Sequence, residues 1–452
     1  MPVSIPVGLS GEISTLLSPA KLCQPGFFRN VLVVTFGTGF AQLLSVCLSP
    51  ILSRLYGPAD FGLFGSFISI SSVLSAGVTL QYAEALMLPE KDEQAAGLFA
   101  AACWSALVIT VVLTGMALAF PSWCAGVLRA PELKSWFWLI PLAAFVTGLN
   151  QTLTAWCARR KEFKRSAATQ IVRSVAANGS QAMAGMASWG SGGLIGGVVL
   201  GDIIANVVLF LRVARADGRL LLEGARRSAI WAAAKEHREF AFYSTPQNVL
   251  NAVSQGAPVI LLIHYYGAVV GGFYAFSIRV MQAPMSLILI SLRQVLFQRL
   301  TEVHNRRGNL RGMFFKSTGM LFAISVIPAT LGFILAPRCF AFVFGKDWLV
   351  AGEYARWLIL WLVPGFCNLP AALVARILRQ QRNLLLFDVG LLASRIAVLI
   401  LGGVNLTAMH TVVAFSVVGA VFNILLILGV WRLIAFEYDT EEGNSPSPRT
   451  AF

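Results

Sequence analysis

Three arginines stand inside long apolar runs, where a charge has little water to meet: Arg279, Arg395 and Arg173. A guanidinium stays charged at physiological pH and offers a rigid fork of N–H donors to phosphate oxygens. Ionisable groups at membrane depth are costly, so each is a functional candidate by default. The chemistry they suggest is binding of an anionic phosphate, with no covalent step. Arg279 lies about eleven residues into its run, roughly 16 Å deep at helical rise. By helical spacing it shares a face with Gln282, Ser286 and Arg293. Arg395 follows Asp388 by two turns on one face, and Asp202 is followed by Asn206 one turn on. The competing reading is structural: Asp388–Arg395 and Asp202–Arg173 as buried ion pairs.

Uncharged polar residues form stripes as well. Gln247, Asn251 and Gln255 recur at one-turn spacing, with Asn248 and Ser254 beside them. Pro246 and Pro258 in the same run predict a broken hydrogen-bond ladder and a bend. A weaker stripe holds Thr38, Gln42, Ser45 and Ser49 before Pro50. Such stripes either line a pore, on flexible gate helices, or hydrogen-bond between helices. The candidate substrate-binding set is therefore Arg279, Arg395, Arg173, Gln247, Asn248, Asn251, Gln255, Gln282 and Gln42. Asp202, Asp388 and Glu84 are the candidates for coupling to an ion. Glu84 precedes the acidic run Pro89-Glu90-Lys91-Asp92-Glu93, which reads as a solvated face.

The elements that must carry these residues follow from composition. Of 452 residues 57% are hydrophobic and 12% charged, against about a quarter charged in a soluble domain. Mean hydropathy is +0.72. So few charges cannot cover a water-facing surface, and the chain is read as a multi-spanning, all-α membrane protein. Spans are predicted near 30–53, 61–83, 95–120, 135–157, 167–188 and 191–212, then 241–264, 268–292, 313–336, 354–376, 383–404 and 408–433. Phe340–Phe344 is a possible short apolar segment before the tenth. The first run is too long for a signal peptide.

The net charge of +14 reads as topology and does not point to nucleic acid. Of 35 Lys and Arg residues, Arg54, Arg129, Lys134, Arg338, Lys346 and Arg356 fall in one set of loops and three lie inside spans; the remaining 26 lie on the other side. The positive-inside rule puts both termini in the cytoplasm. The seven cysteines and four histidines show no metal or disulfide spacing, so no cofactor is expected.

Five regions are expected: an extension at 1–29, a six-helix bundle at 30–212, a basic cytoplasmic linker at 213–240, a second six-helix bundle at 241–433, and a disordered cytoplasmic tail at 434–452. The bundles look like parallel repeats. Tyr56-Gly57-Pro58 aligns with Tyr266-Gly267-Ala268, and Gly62, Phe64 and Ile68 then align with Gly272, Tyr274 and Ile278. Two halves inserted the same way are related by an axis normal to the membrane, with a site between them.

Several stretches resemble the bacterial polysaccharide transporter family, the O-antigen and exopolysaccharide flippases of the multidrug/oligosaccharidyl-lipid/polysaccharide superfamily. They are Leu52–Gly62, Leu86–Glu93, Phe242–Pro246, Gly272–Pro284 and Ala336–Ala355, running in order along about residues 30–433. Gln81 stands where many relatives are expected to carry a basic residue. The resemblance implies a flippase for an undecaprenyl-pyrophosphate-linked oligosaccharide, working by alternating access through a central cationic cavity. By it, Arg279 and Arg395 would hold the pyrophosphate. Membrane lipids, a coupling proton or sodium ion, and polysaccharide polymerase and chain-length proteins are the partners it implies. A cation-coupled drug antiporter of the same superfamily is the first alternative. A membrane enzyme of glycan assembly is the second, though no loop here carries a convincing acid pair.

Overall fold

The computed structural model describes residues 25–119, 131–306, 308–378 and 380–443. Most of the N-terminal extension and the end of the tail lie outside them. Twelve long helices occur in the described residues, one for each predicted span. They are α1 (Pro25–Leu55), α2 (Pro58–Val78), α3 (Asp92–Ala119), α4 (Leu139–Arg159), α5 (Phe163–Met186) and α6 (Ser191–Gly224), then α7 (Thr245–Tyr266), α8 (Ala268–Asn305), α9 (Leu310–Phe344), α10 (Leu349–Cys367), α11 (Gln381–Asn405) and α12 (Ala408–Gly443). Seven segments, in α2, α3, α6, α9, α10, α11 and α12, are long and apolar enough to cross a membrane among the described residues. Those that fall short include α5, α7 and α8, which carry Arg173, the Gln247–Gln255 stripe and Arg279 respectively.

Several boundaries differ from the sequence reading for local reasons. The second span stops at Val78, because Leu80 and Gln81 adopt left-handed φ values of 49° and 56°. A short helix, Tyr82–Ala85, resumes after them. Gln81 is buried and its amide donates to the Ala76 carbonyl at 2.7 Å, so it closes the end of α2. Phe340–Phe344 is no separate segment but the end of α9. Pro246 does not break α7; it lies in the first helical turn, where a missing N–H costs nothing. Only Pro258 is interior, and a π-helical turn at Phe240–Ser244 precedes the helix. Residues 213–240 are largely helical, as the end of α6 and a separate helix at Arg227–Glu236. Helix α12 continues through residue 443, where the tail was expected to be disordered.

Adjacent helices pack within each half: α1 on α5, α5 on α6, α9 on α10, and α10 on α12. Across the halves α2 packs on α8 and also on α7. The α2–α8 crossing is reciprocal. A Cβ on Gly62 would collide with the carbonyl of Ala268, and one on Gly272 with the carbonyl of Pro58. These four residues are the ones paired by the repeat alignment. A Cβ on Gly65 would come within 2.8 Å of Ala275, another aligned pair. Only glycine admits so close an approach of two backbones.

The aligned tyrosines serve matching purposes. The Tyr56 hydroxyl donates to the Gln181 carbonyl of α5 at 2.6 Å, and the Tyr266 hydroxyl donates to the Gly402 carbonyl of α11 at 2.8 Å. Burial, with the Asp60 carboxylate adding to it, pushes the Tyr56 hydroxyl up to about 12, so it remains a donor through the physiological range.

One end of the molecule is sealed by aromatic rings. Phe61, Phe276 and Trp348 meet with ring centroids 4.2 to 5.1 Å apart, and Phe340 and Phe344 join them. Trp348 Nε1 donates to the Ser53 carbonyl at 2.9 Å, and Ser53 Oγ donates to the Phe344 carbonyl at 3.0 Å. These bonds tie α1 to the α9–α10 turn across the halves. Ring pairs of this geometry contribute about 0.5–1.5 kcal/mol each beyond burial.

Candidate functional site

Arg279, Gln282 and Ser286 lie on one face of α8, as their spacing requires, and that face looks onto α1. Together with Gln42, Ser45 and Ser49 of α1 they line a cavity of about 430 Å³. Two of the predicted amides, Gln42 and Gln282, thus come together with Arg279. Ser286 Oγ donates to Gln42 Oε1 at 3.2 Å, a bond between helices of the two halves. On its far side α1 is fastened to α5, where Ser174 Oγ donates to the Ala41 carbonyl at 2.8 Å and Asn178 Nδ2 to Ser45 Oγ at 3.0 Å. The α1 wall is therefore held by the first half and the α8 wall belongs to the second.

The guanidinium of Arg279 has no carboxylate or hydrogen-bond acceptor among the described residues, and its Nη1 is buried without a partner. Among the described residues its only charge-related contact is the Phe64 ring, 5.9 Å from Cζ, and none of those lining the cavity is an acid. A cation held beside hydroxyls and amides, without a counter-charge, is suited to bind an anion.

Arg395 lies outside the residues lining this cavity. Its Cζ stands 4.6 Å from the Trp361 ring and 4.8 Å from the Phe415 ring, a sandwich in which two aromatic faces replace an acid. Nε has no hydrogen-bond partner. Phe415 also packs edge-on against Tyr274 of α8, which links the cage to the helix bearing Arg279. Asp388 is exposed and makes no ion pair among the described residues, so the Asp388–Arg395 pairing weighed from sequence does not form.

The other weighed pair does form. Arg173 of α5 donates from Nε and Nη2 to the two carboxylate oxygens of Asp202 on α6, the second bond at 3.1 Å. Asn206, one turn along, donates to the Val146 carbonyl at 2.6 Å and accepts from Asn150 at 2.8 Å. Arg173 and Asp202 are thus a pair joining α5 to α6 within the first half, and Asn206 separately ties α6 to α4.

Gln247, Asn251 and Gln255 form an exposed stripe on α7, with Asn248 half-buried beside it; none has a hydrogen-bond partner among the described residues. They are absent from the wall of the Arg279 cavity. Glu84 is exposed in the short helix after α2. Thr38, of the weaker stripe, lies outside the residues whose side chains are described.

Sequence reasoning missed the ring partners Phe64, Trp361 and Phe415, because each lies far along the chain from its arginine. It also missed a charge cluster at one end of the first half. Arg159 and Arg160 both meet Asp92, at 3.0 and 2.6 Å. Arg160 also meets the buried Asp217 at 2.7 Å, and Trp156 donates to that same carboxylate at 3.0 Å. The hydrogen bond to Asp217 raises Arg160 further above its ordinary value. The acidic run after α2 is thus partly a docking point for the end of α4. Alternation of Asp217 with arginines on α6 was its only signal.

Comparison with known proteins places this geometry. By structure, the chain is similar to a lipid II flippase MurJ in an inward closed conformation, with a TM-score of 0.69 and 13% identity over 88% of this chain and 87% of that one. It is similar to an inward-facing multidrug resistance MATE family transporter of the MOP superfamily, with a TM-score of 0.60 and 12% identity over 94% and 98%. A MOP superfamily transporter from Pyrococcus furiosus gives 0.58 and 14% over 90% and 96%. At such identities these likenesses speak for the fold alone. In sequence, an uncharacterized membrane protein in the cps region of Klebsiella pneumoniae is 33% identical over 118 residues, 25% of this chain and 24% of that protein. The chain therefore matches about a quarter of the length of that relative. The model of a family described as polysaccharide biosynthesis protein matches residues 51–353. The chain belongs to the polysaccharide biosynthesis protein family, and it is a multi-pass membrane protein that shares its fold with MOP superfamily transporters.

Proposed function

We propose that the chain flips an undecaprenyl-pyrophosphate-linked oligosaccharide across a bacterial inner membrane for surface polysaccharide assembly. The observation that carries this reading is Arg279. It borders a cavity between the halves, has a buried Nη1 with no acceptor, and has no acid nearby among the described residues. A pyrophosphate supplies the missing acceptors. Gln42, Gln282 and Ser286 then offer donors and acceptors to phosphate or to the first sugar, and phosphate binding competes with the Ser286–Gln42 bond. A cationic drug would instead want a carboxylate in the wall.

The aromatic seal joins the N-terminal parts of α2 and α8 to the α9–α10 turn, which Ser53 ties to the end of α1. By loop charge, that end faces away from the cytoplasm, with both termini inside. The exposed amides of α7 would then wall a wet path from the cytoplasmic side, since unpaired amides are costly against acyl chains. Arg395 is a second cation for the same headgroup, reached when the halves rock. The Arg173–Asp202 pair would have to open before either could take part. Asp388 and Glu84 are the acids free to couple transport to a proton or sodium ion. Polymerase and chain-length proteins would take the product on the far side.

The test is deletion of the gene, followed by analysis of lipid-linked glycans. Accumulation of an undecaprenyl-pyrophosphate oligosaccharide on the cytoplasmic leaflet is expected, with rescue by the wild-type gene and none by Arg279→Ala at equal membrane abundance. Accumulation of no lipid-linked glycan would reject the reading.

A further inference from the structure

A second cationic cavity lies at the other end of α8. The end of α8 and the start of α9 enclose about 550 Å³, with Arg299, Arg306 and Lys316 at its rim and Val303 and Met313 among its apolar lining. Its one acid, Glu302, is spent on Arg306 at 2.6 Å. Arg299 and Lys316 make no ion pair among the described residues. Two cations from different helices therefore face one cleft without a counter-charge, an arrangement that repels itself until an anion enters.

This cleft is separate from the transport cavity. Twenty residues part Arg299 from Arg279, roughly 30 Å along the helix, and the two positions point to nearly opposite faces of α8. It is also continuous with surface suited to acyl chains. Beyond Lys316, helix α9 exposes Phe322, Ile327, Leu331 and Ile334, as a membrane-facing helix does. The nearby Arg311 points elsewhere, with Cζ 6.0 Å from the Trp431 ring. Cationic rim, apolar floor and an apolar wall leading away match one amphiphile: a phosphate headgroup with its chains laid along α9.

We propose that the cleft between the ends of α8 and α9 binds the headgroup of an anionic membrane phospholipid, with Arg299 and Lys316 on the phosphate and the chains against α9. Basic pockets between membrane helices take such headgroups. The protein would carry this lipid as a bound component, independent of the molecule it transports.

The experiment uses the full chain purified in a neutral detergent and titrated with phosphatidylglycerol, phosphatidylcholine or inorganic phosphate. Thermal unfolding and native mass spectrometry are the readouts. Saturable binding of one phosphatidylglycerol is expected, with a rise in melting temperature that phosphatidylcholine does not give. Arg299→Gln with Lys316→Gln should weaken it at least tenfold. Arg299→Lys should retain most of it, which guards against a folding defect in the double variant. The charge-matched control, Arg215→Gln with Arg219→Gln on α6, should bind as wild type. Equal loss in the control would overturn the proposal in favour of general attraction to basic surface. Equal stabilisation by inorganic phosphate would overturn the lipid as occupant.

Discussion

The two halves treat buried charge in opposite ways. In the first, Arg173 and Asp202 satisfy one another through two hydrogen bonds. In the second, Arg279 and Arg395 have no acid at all among the described residues and lean on Phe64, Trp361 and Phe415. Asp202 is nearly buried although Arg173 is partly exposed; removing either partner of such a pair leaves the other without its counter-charge. An unpaired charge carries an uncompensated desolvation cost, which its removal relieves and a bound anion would offset. The difference predicts that stability and transport separate between the halves.

The largest effect expected is on transport. Arg279→Ala should reduce glycan export at least a hundredfold while the melting temperature holds or rises; a collapse of folded protein would make Arg279 architectural and erase the contrast. Next is Asp202→Asn, which leaves Arg173 without its counter-charge. It should destabilise by about 2 kcal/mol, read as a lower melting temperature, while export per folded molecule stays near wild type. A transport loss without a stability loss would move this pair into the site. Arg279→Lys comes third. A point charge in place of a bidentate fork should leave export about tenfold down, measured by surface glycan at matched abundance. The smallest is Trp361→Ala, which removes one face of the Arg395 sandwich. Loss of about 1 kcal/mol should appear chiefly as a higher apparent KM for lipid-linked substrate. An unchanged KM would confine the cage to packing.

Much of the architecture was legible because bilayer thickness sets a length. All twelve long helices fall where apolar runs predicted them. The site was legible only in part. Arg279, Gln282 and Ser286 share a face by period alone, so their grouping could be read. That α1 supplies the facing wall could not, since nothing local says which helix lies opposite. For Arg173 and Arg395 the sequence offered the same two readings, and the outcomes diverge because a carboxylate on an adjacent helix is within reach in one half and not in the other. The break at Gln81 and the end of α9 were misread for another reason. Both depend on backbone conformation at one or two residues, and hydropathy averages over a whole window.

The crossing of Gly62 over Gly272 binds the two halves in a further sense. Each helix offers the other a groove one atom deep, and each groove is cut by the residue that fills its twin. A methyl group on either side pushes the opposite backbone away and thereby widens the space around the other glycine. At this joint neither helix is free to change alone: a bulkier residue on one needs a matching retreat of the backbone on the other.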